Sequence, residues 1–352
     1  ALVAIANDIP EQTQIWLFLG FYVAFAIKAP LVPLHTWLPD AGAEAPIGAG
    51  VLLVGVLDKV GIYGFLRYCL PLFPDASRAL APLVLTLAVA GILYAALLAV
   101  GQTDLKRFVA YTSVAHFGFI ALGVFAFSTQ GQAGAVLYMV NHGISTGMLF
   151  IVIGMLIARG GSRLIADYGG VAALAPVLAG MMLLAGLSSL ALPGTNSFVS
   201  EFMVLVGSYP REPVYTVLAT VGIIFAALYV LWVYQRVMTG PVRGAAVLAA
   251  LGVGASAPGG LSAPGGLSAP GGPGSAGGPG TMLAPEVEAS RRATLFPDLS
   301  VRELAVLAPL VALILLLGFY PQPVLEVINP SVGATLSEVG LTDPVSGQQG
   351  GN

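Results

Sequence analysis

The chain has 352 residues, of which 57% are hydrophobic and 9% charged, with a formal net charge of −3 and a mean hydropathy of +0.89. A soluble globular protein carries about 25% charged residues, so too few polar side chains remain here to cover a water-facing surface, and the charge balance points to no nucleic-acid partner. The single cysteine, Cys69, excludes an internal disulfide and any CxxC metal or redox motif.

The apolar residues fall in blocks of the length that spans a bilayer, about 18 residues or more. In chain order, the expected crossings are residues 14–34, 47–68, 79–102, 107–127 and 133–158, then a long stretch over 173–208, then 214–237 and 302–320. The fold class that follows is an all-α, polytopic membrane helix bundle of about eight transmembrane segments. No basic region or cleavage site precedes the first block, so it does not read as a signal peptide. The chain opens on Ala1 rather than Met, as a fragment, a processed product or a late-started reading frame would.

The sixth block is too long for one straight helix. At about 1.5 Å per residue it would reach roughly 54 Å, against about 30 Å of hydrocarbon. It is interrupted by Pro193-Gly194-Thr195-Asn196, where proline removes a backbone donor and glycine and asparagine favour turns. Two half-helices joined by unwound backbone are expected, a feature of ion-coupled transporters. Pro30 and Pro33 mark a second distortion in the first block.

Lys and Arg counts set an orientation. One set of loops carries Lys106, Arg107, Arg159, Arg163, Arg236, Arg243, Arg291, Arg292 and Arg302; the other carries Arg67, Arg78 and Arg211. The positive-inside rule places the first set in the cytoplasm. Residues 241–300 form a low-complexity loop in which Ser-Ala-Pro-Gly-Gly recurs from Ser256, Ser262 and Ser268. Such a composition cannot bury enough apolar surface to offset its ordering entropy, so a flexible tether is expected.

Few ionisable residues lie inside the crossings: Lys28, Asp58, Lys59, His116, His142 and Glu201. A charge at mid-bilayer costs about 2.5–3.5 kcal/mol on insertion scales, so each is a candidate for function. Lys28 falls near the middle of its block, where snorkelling to an interface is hard. Asp58 and Lys59 are neighbours in sequence, but successive side chains on a helix point about 100° apart, so they are not expected to share a face. His116 and His142 can both give and take a proton. Tyr111, Thr112, Ser113, Asn141, Ser145 and Thr146 surround them with hydrogen-bonding groups. Glu201 follows the Asn196 break, where a carboxylate beside unwound backbone suits a gated ion site.

Long strings then resemble a known family. They are Phe18-Leu19-Gly20-Phe21-Tyr22-Val23-Ala24-Phe25-Ala26-Ile27-Lys28, Pro33-Leu34-His35-Thr36-Trp37-Leu38-Pro39-Asp40-Ala41, Asp104-Leu105-Lys106-Arg107 and Ala110-Tyr111-Thr112-Ser113-Val114-Ala115-His116-Phe117-Gly118. Asn141-His142-Gly143 and the run from Leu192 through Glu201 to Phe202 complete the set. These resemble the antiporter-like membrane subunits of proton-pumping NADH:quinone oxidoreductase, respiratory complex I. Glutamate at position 201, where other members carry lysine, resembles subunit M in particular.

The resemblance covers about residues 13–240 and the last crossing. It implies proton transfer through Lys28, Lys59, His116, His142 and Glu201, with Lys28 as the pumping lysine of the first broken helix and Glu201 at the exit. It implies an inverted-repeat fold, with a truncated first repeat over 13–70 and a second over 79–240. A final transmembrane helix at 301–330 and a tail at 331–352 follow. The carboxylate that pairs with Lys28 would lie in helices upstream of this chain. The implied setting is the bacterial inner membrane, beside other membrane subunits of complex I, especially L and N. No cofactor is expected in this chain. NADH, FMN, iron–sulfur clusters and quinone would belong to partner subunits. A subunit of a multi-subunit Na+/H+ antiporter or of a membrane-bound hydrogenase would share most of these motifs.

Overall fold

A computed structural model describes residues 3–252 and 295–343. The Ser-Ala-Pro-Gly-Gly repeats and the last nine residues, about which the sequence raised expectations, lie outside the described residues. Every regular element described is helical. The first block is a broken crossing, α1 (Glu11–Lys28) and α2 (Trp37–Glu44). Next come α3 (Ile47–Leu72), α4 (Pro74–Val100), α5 (Leu105–Phe125) and α6 (Thr129–Gly160). The second broken crossing is α7 (Pro176–Ser189) and α8 (Asn196–Ser208). It is followed by α9 (Pro213–Met238), the short α10 (Ala245–Ala250), α11 (Val301–Phe319) and α12 (Gln322–Glu338). Of these, α3, α4, α5, α6, α9 and α11 are unbroken and long and apolar enough to cross a membrane.

Local sequence sets the ends. Pro74, Pro176 and Pro213 each stand in the first helical turn, where a missing N–H costs nothing. Ser128 caps α6 by accepting from the Gly131 N–H at 3.0 Å. At its far end, Gly161 takes the left-handed conformation at φ 74° that closes many helices. Helix α12 straddles the boundary drawn at 330. It is amphipathic, burying Ile328, Val332 and Leu336 one turn apart.

Helix α5 is the hub. Nearly all its residues are buried, with α2, α4, α6, α8 and α9 packed around it. Lipid tails are as apolar as leucine, so helices in a bilayer associate through close packing at small residues. At Gly118 a β-carbon would lie 2.6 Å from the Ala88 carbonyl oxygen, so only glycine lets α5 settle this deeply on α4. Aromatic side chains fill the wider spaces, Phe108 against Tyr229 on one side and Phe65 against Phe125 on the other.

The Asp104-Leu105-Lys106-Arg107 string has a structural explanation. Asp104 Oδ1 caps α5, accepting from the N–H groups of Lys106 at 2.8 Å and Arg107 at 3.1 Å. Its other oxygen lies 2.8 Å from Arg163 Nε. The cations then converge on the C-terminal end of α2. Lys106 Nζ donates to the carbonyls of Ala43 at 2.8 Å and Ala45 at 2.6 Å. Arg163 donates to Ala43 O and to Glu44, both at 3.0 Å, and Arg107 pairs with Asp40 at 2.6 Å. Positive charge here matches the negative end of the α2 dipole and satisfies its last carbonyls. Lys106, counted above as a free loop cation, is in fact buried.

Helix α11 is fastened at both ends. At its start, Ser300 and Glu303 form a capping box, and Glu303 takes a two-pronged bond from Arg159 of α6 at 2.9 and 2.8 Å. Arg159 also donates to the carbonyls of Pro297 and Asp298. Near its end, Gly318 meets the backbone of Gly194, whose oxygen a β-carbon would approach to 2.4 Å. Replacing Glu303 with Ala removes the carboxylate half of the capping box and the ion partner of Arg159. A loss of about 2 kcal/mol is expected, between the ranges for exposed and buried pairs. It would register as a lower unfolding temperature in detergent and earlier protease cleavage ahead of α11.

Candidate functional site: a buried polar line beside two helix breaks

The breaks come first. Helix α1 stops at Lys28, and the chain runs through Ala29–Thr36 before α2 begins. Between α7 and α8, residues 190–195 leave helical geometry, with Ala191 at φ 59° and Gly194 at φ 93°. Unwound backbone inside a membrane must be buried in protein or line a wet cavity. Here side chains from α6 take up the second break. Asn141 Nδ2 donates to the Asn196 carbonyl at 2.8 Å and to Ser200 Oγ at 3.1 Å. Asn196 Nδ2 returns a bond to the Asn141 carbonyl at 3.2 Å. Ser145 and Ser188 both donate to Asn196 Oδ1, at 3.0 and 2.7 Å.

The crossing α3 carries two stretches of wider, π-helical turn, Leu53–Leu57 and Phe65–Cys69, with Asp58 at the irregular junction. The ordinary 100° advance therefore fails at Asp58. The expectation that Asp58 and Lys59 face apart is corrected: Lys59 Nζ lies 2.9 Å from Asp58 Oδ1, with Asp58 fully buried. Such π turns are frequent at functional sites. The same ammonium bonds the carbonyl of Val54, a residue of the first wider turn, and sits 2.7 Å from His142 Nδ1 on α6. It also lies over the Phe117 ring at 5.3 Å from the centroid, a favourable cation–π placement.

Packing explains why Lys59 reaches His142. At Gly143 a β-carbon would lie 2.6 Å from the Gly55 carbonyl oxygen, so α3 and α6 touch backbone to backbone one residue from His142. The two histidines form an edge-to-face pair with ring centroids 5.3 Å apart, and both are buried. Among the described residues, neither ring nitrogen of His116, nor Nε2 of His142, has a hydrogen-bond partner. Glu201 is buried on α8 and accepts from the Tyr138 hydroxyl at 2.6 Å. Tyr138 in turn lies 5.9 Å from His116, centroid to centroid.

The structure thus brings together Lys59, His116 and His142, adds Asp58, and connects Glu201 to them through Tyr138. Lys28 stands apart. It is the last residue of α1, exposed on the described chain, and it pairs with none of the described carboxylates. The chain runs on from Lys28 through Ala29–Thr36 into α2, so Lys28 stands at the edge of the first break. The break packs closely on α3, since a β-carbon at Gly61 would lie 2.5 Å from Ala29 N. Of the polar neighbours expected around the histidines, Asn141 and Ser145 join the network at the break. Thr112 and Ser113 bond back to Val109 O in their own helix, and Tyr111 is only half-buried.

Tyr138, Ser188 and Ser200 escaped the sequence reading. Tyr138 had a signal: it lies one helical turn before His142, at the i, i+4 spacing that shares a face. Among the described residues no group of three or more His, Cys, Asp or Glu side chains is placed to hold a metal ion. Gly143→Ala should wedge α3 from α6. An overpacking loss of about 1–3 kcal/mol is expected, readable as a lowered unfolding temperature of the purified protein. An unchanged temperature would mean that the two backbones part freely.

The chain is similar to known proteins in sequence and in fold. Residues 2–227 match the family described as NADH:quinone oxidoreductase/Mrp antiporter, TM. The NADH-quinone oxidoreductase subunit M of Mycobacterium tuberculosis is 46% identical over 93% of this chain and 51% of its own length. The subunit M of Rickettsia bellii is 37% identical over 93% and 57%. The chain thus spans about half the length of the curated relatives it matches. Among solved structures, respiratory complex I from Thermus thermophilus with bound NADH contains a chain that superposes with a TM-score of 0.75 at 30% identity. That match covers 95% of this chain and 61% of the other. The Mrp complex from Dietzia superposes at 0.66 with 20% identity over 90% and 60%, a likeness of fold alone. By sequence and by fold, the chain belongs to the NADH:quinone oxidoreductase/Mrp antiporter transmembrane family.

Proposed function

We propose that the protein is a proton-translocating membrane subunit of NADH:quinone oxidoreductase, of the subunit M kind. The observation that carries this reading is the buried polar line of Lys59, His142 and His116, with Glu201 beside the second helix break. Charges and unpaired imidazoles at such depth need a compensating role. Lys59 is held between a carboxylate and an imidazole nitrogen. It can therefore keep its proton against Asp58 or share it with His142, and small changes in either partner move the balance. The free nitrogens of His116 and His142 suit ordered water, which fills buried polar sites that protein atoms leave unpaired. Lys28, at the first break, is the entrance to the line, and Glu201 its exit.

Electrons take no part in this chain's chemistry on this reading. NADH, FMN, iron–sulfur clusters and quinone belong to partner subunits, and the redox energy arrives through contact with them. The partners are the other membrane subunits, L and N foremost, in a bacterial inner membrane. The identity to subunit M sequences favours this over a Na+/H+ antiporter, for which the likeness is one of fold.

Two substitutions in the assembled complex test the line. Glu201→Gln keeps size and hydrogen bonding but cannot take up a proton. Proton uptake by inverted vesicles given NADH should fall by roughly a hundredfold or more, the scale of losing a proton-transfer group. Normal pumping with normal assembly would refute Glu201 as exit. For Lys28, Ala removes the charge and Arg keeps it permanently. If Lys28 carries protons, both variants are silent in the same assay while the complex stays intact on a native gel. Full pumping by the Arg variant would reduce Lys28 to a structural charge.

A further inference from the structure

The histidine pair and Glu201 do not touch. Among the described residues no hydrogen bond joins either imidazole to the carboxylate, and aromatic rings crowd this side of α6, Phe117 at 5.4 Å from His142 and Phe119 at 6.4 Å from Tyr138, centroid to centroid. A proton that reaches the histidines therefore needs a stepping stone to reach the exit. Two polar paths leave the histidine side of α6. One runs through Asn141 to Ser200, the residue before Glu201. Its second hydrogen bond turns away from the carboxylate: Asn141 donates to Ser200 Oγ, but Ser200 spends its own hydrogen on the Ser197 carbonyl at 3.0 Å. An amide nitrogen is a poor proton acceptor, and the backbone carbonyl ends the line.

The other path is Tyr138. Its side chain is 1% exposed, its ring lies 5.9 Å from His116, and its hydroxyl donates to Glu201 Oε2 at 2.6 Å. Among the described residues it is the one side chain that bonds the Glu201 carboxylate. The distance is that of a strong, charge-assisted O–H···O bond. A phenol oxygen carries one hydrogen and lone pairs besides, so it can accept a proton on one side while giving one up on the other.

The geometry points to Tyr138 as the proton-transfer residue between the histidine pair and Glu201, an assignment that rests on the proposed proton route. The step is balanced. The hydrogen on the Tyr138 oxygen moves to Glu201 Oε2, breaking one O–H bond and making another, and Glu201 becomes a carboxylic acid. A proton from His116, directly or through one water, takes its place on the Tyr138 oxygen, and the imidazolium becomes neutral imidazole. Tyr138 ends as it began, uncharged, so the step passes through neither a phenolate nor a doubly protonated phenol oxygen. Rotation about the C–O bond then returns the hydroxyl to its starting alignment.

Tyr138→Phe removes the oxygen and keeps the ring that packs on Phe119 and His116. In inverted vesicles energised with NADH, proton uptake per assembled complex should fall by roughly a hundredfold, as for Glu201→Gln measured beside it. Tyr138→His restores a group that can both accept and donate, and should recover a measurable part of the rate with an enlarged solvent deuterium isotope effect. A hydroxyl that served only packing would yield neither. Should the Phe variant assemble poorly, the His variant decides alone. Uptake above that of Glu201→Gln supports the relay, and uptake no better than it overturns the assignment. Wild-type uptake by Tyr138→Phe with a silent Glu201→Gln would remove Tyr138 from the route and leave Glu201 in place. Wild-type uptake by both would instead strike the underlying reading.

Discussion

An ammonium ion in the middle of a bilayer costs about 2.5–3.5 kcal/mol on insertion, and the structure around Lys59 is organised by that cost. The charge is met by three groups at once: the Asp58 carboxylate, the His142 ring nitrogen and a backbone carbonyl from its own crossing. Each requires something of the fold. Asp58 reaches Lys59 because α3 departs from regular winding. Val54 lies in the same wider turn and offers its carbonyl to the ammonium. His142 comes within reach because the glycine at 143 lets two backbones meet. Remove any one and the ammonium is left with an incomplete shell in a medium that cannot supply water.

The two helix breaks answer a related constraint. Backbone groups released from helical bonding must find partners inside the protein. At the second break they bond locally, as Ala191 N does to the Ser188 carbonyl and Leu192 N to that of Leu187, while Asn196 ties the start of α8 to Asn141 and Ser145 of α6. At the first, the Ala29 and Leu31 N–H groups bond back to the carbonyls of Phe25 and Ala26, and Lys106, Arg107 and Arg163 hold the far end of α2. The family's conspicuous strings are thus of two kinds. Those around 104–107 hold the short half-helix in place. Those around 141–146 and 193–201 line the polar interior.

Much of this was legible in the sequence, because hydropathy and helix length are properties of single segments. The apolar blocks, the break at 193–196, the distortion near Pro30 and the depth of Glu201 all follow from composition and proline placement. What stayed hidden depends on departures from regularity or on pairs of segments. The Asp58–Lys59 pair was misjudged because the 100° rule assumes an unbroken α-helix, and nothing in Leu53–Leu57 announces a wider turn. Tyr138 was passed over because tyrosine in an apolar helix is ordinarily a packing residue. Its bond to Glu201 exists only once α6 and α8 are side by side. Lys28 falls at the end of α1 beside the first break, and its exposure on this chain depends on neighbours that composition does not describe.

Gly318 and Gly194 join two parts of the chain that sequence keeps far apart. With no side chain on either, α11 rests directly on the peptide groups of Gly194 and Thr195. There is no flexible layer to absorb a shift, as leucine or methionine rotamers would provide. At its other end α11 is bolted to Arg159 of α6, the helix that also carries His142 and Tyr138. The last crossing therefore works as a rigid strut spanning the break. A displacement of α8 at Ala191–Thr195 that carried Glu201 would therefore have to lift α11 from its seat or carry it along.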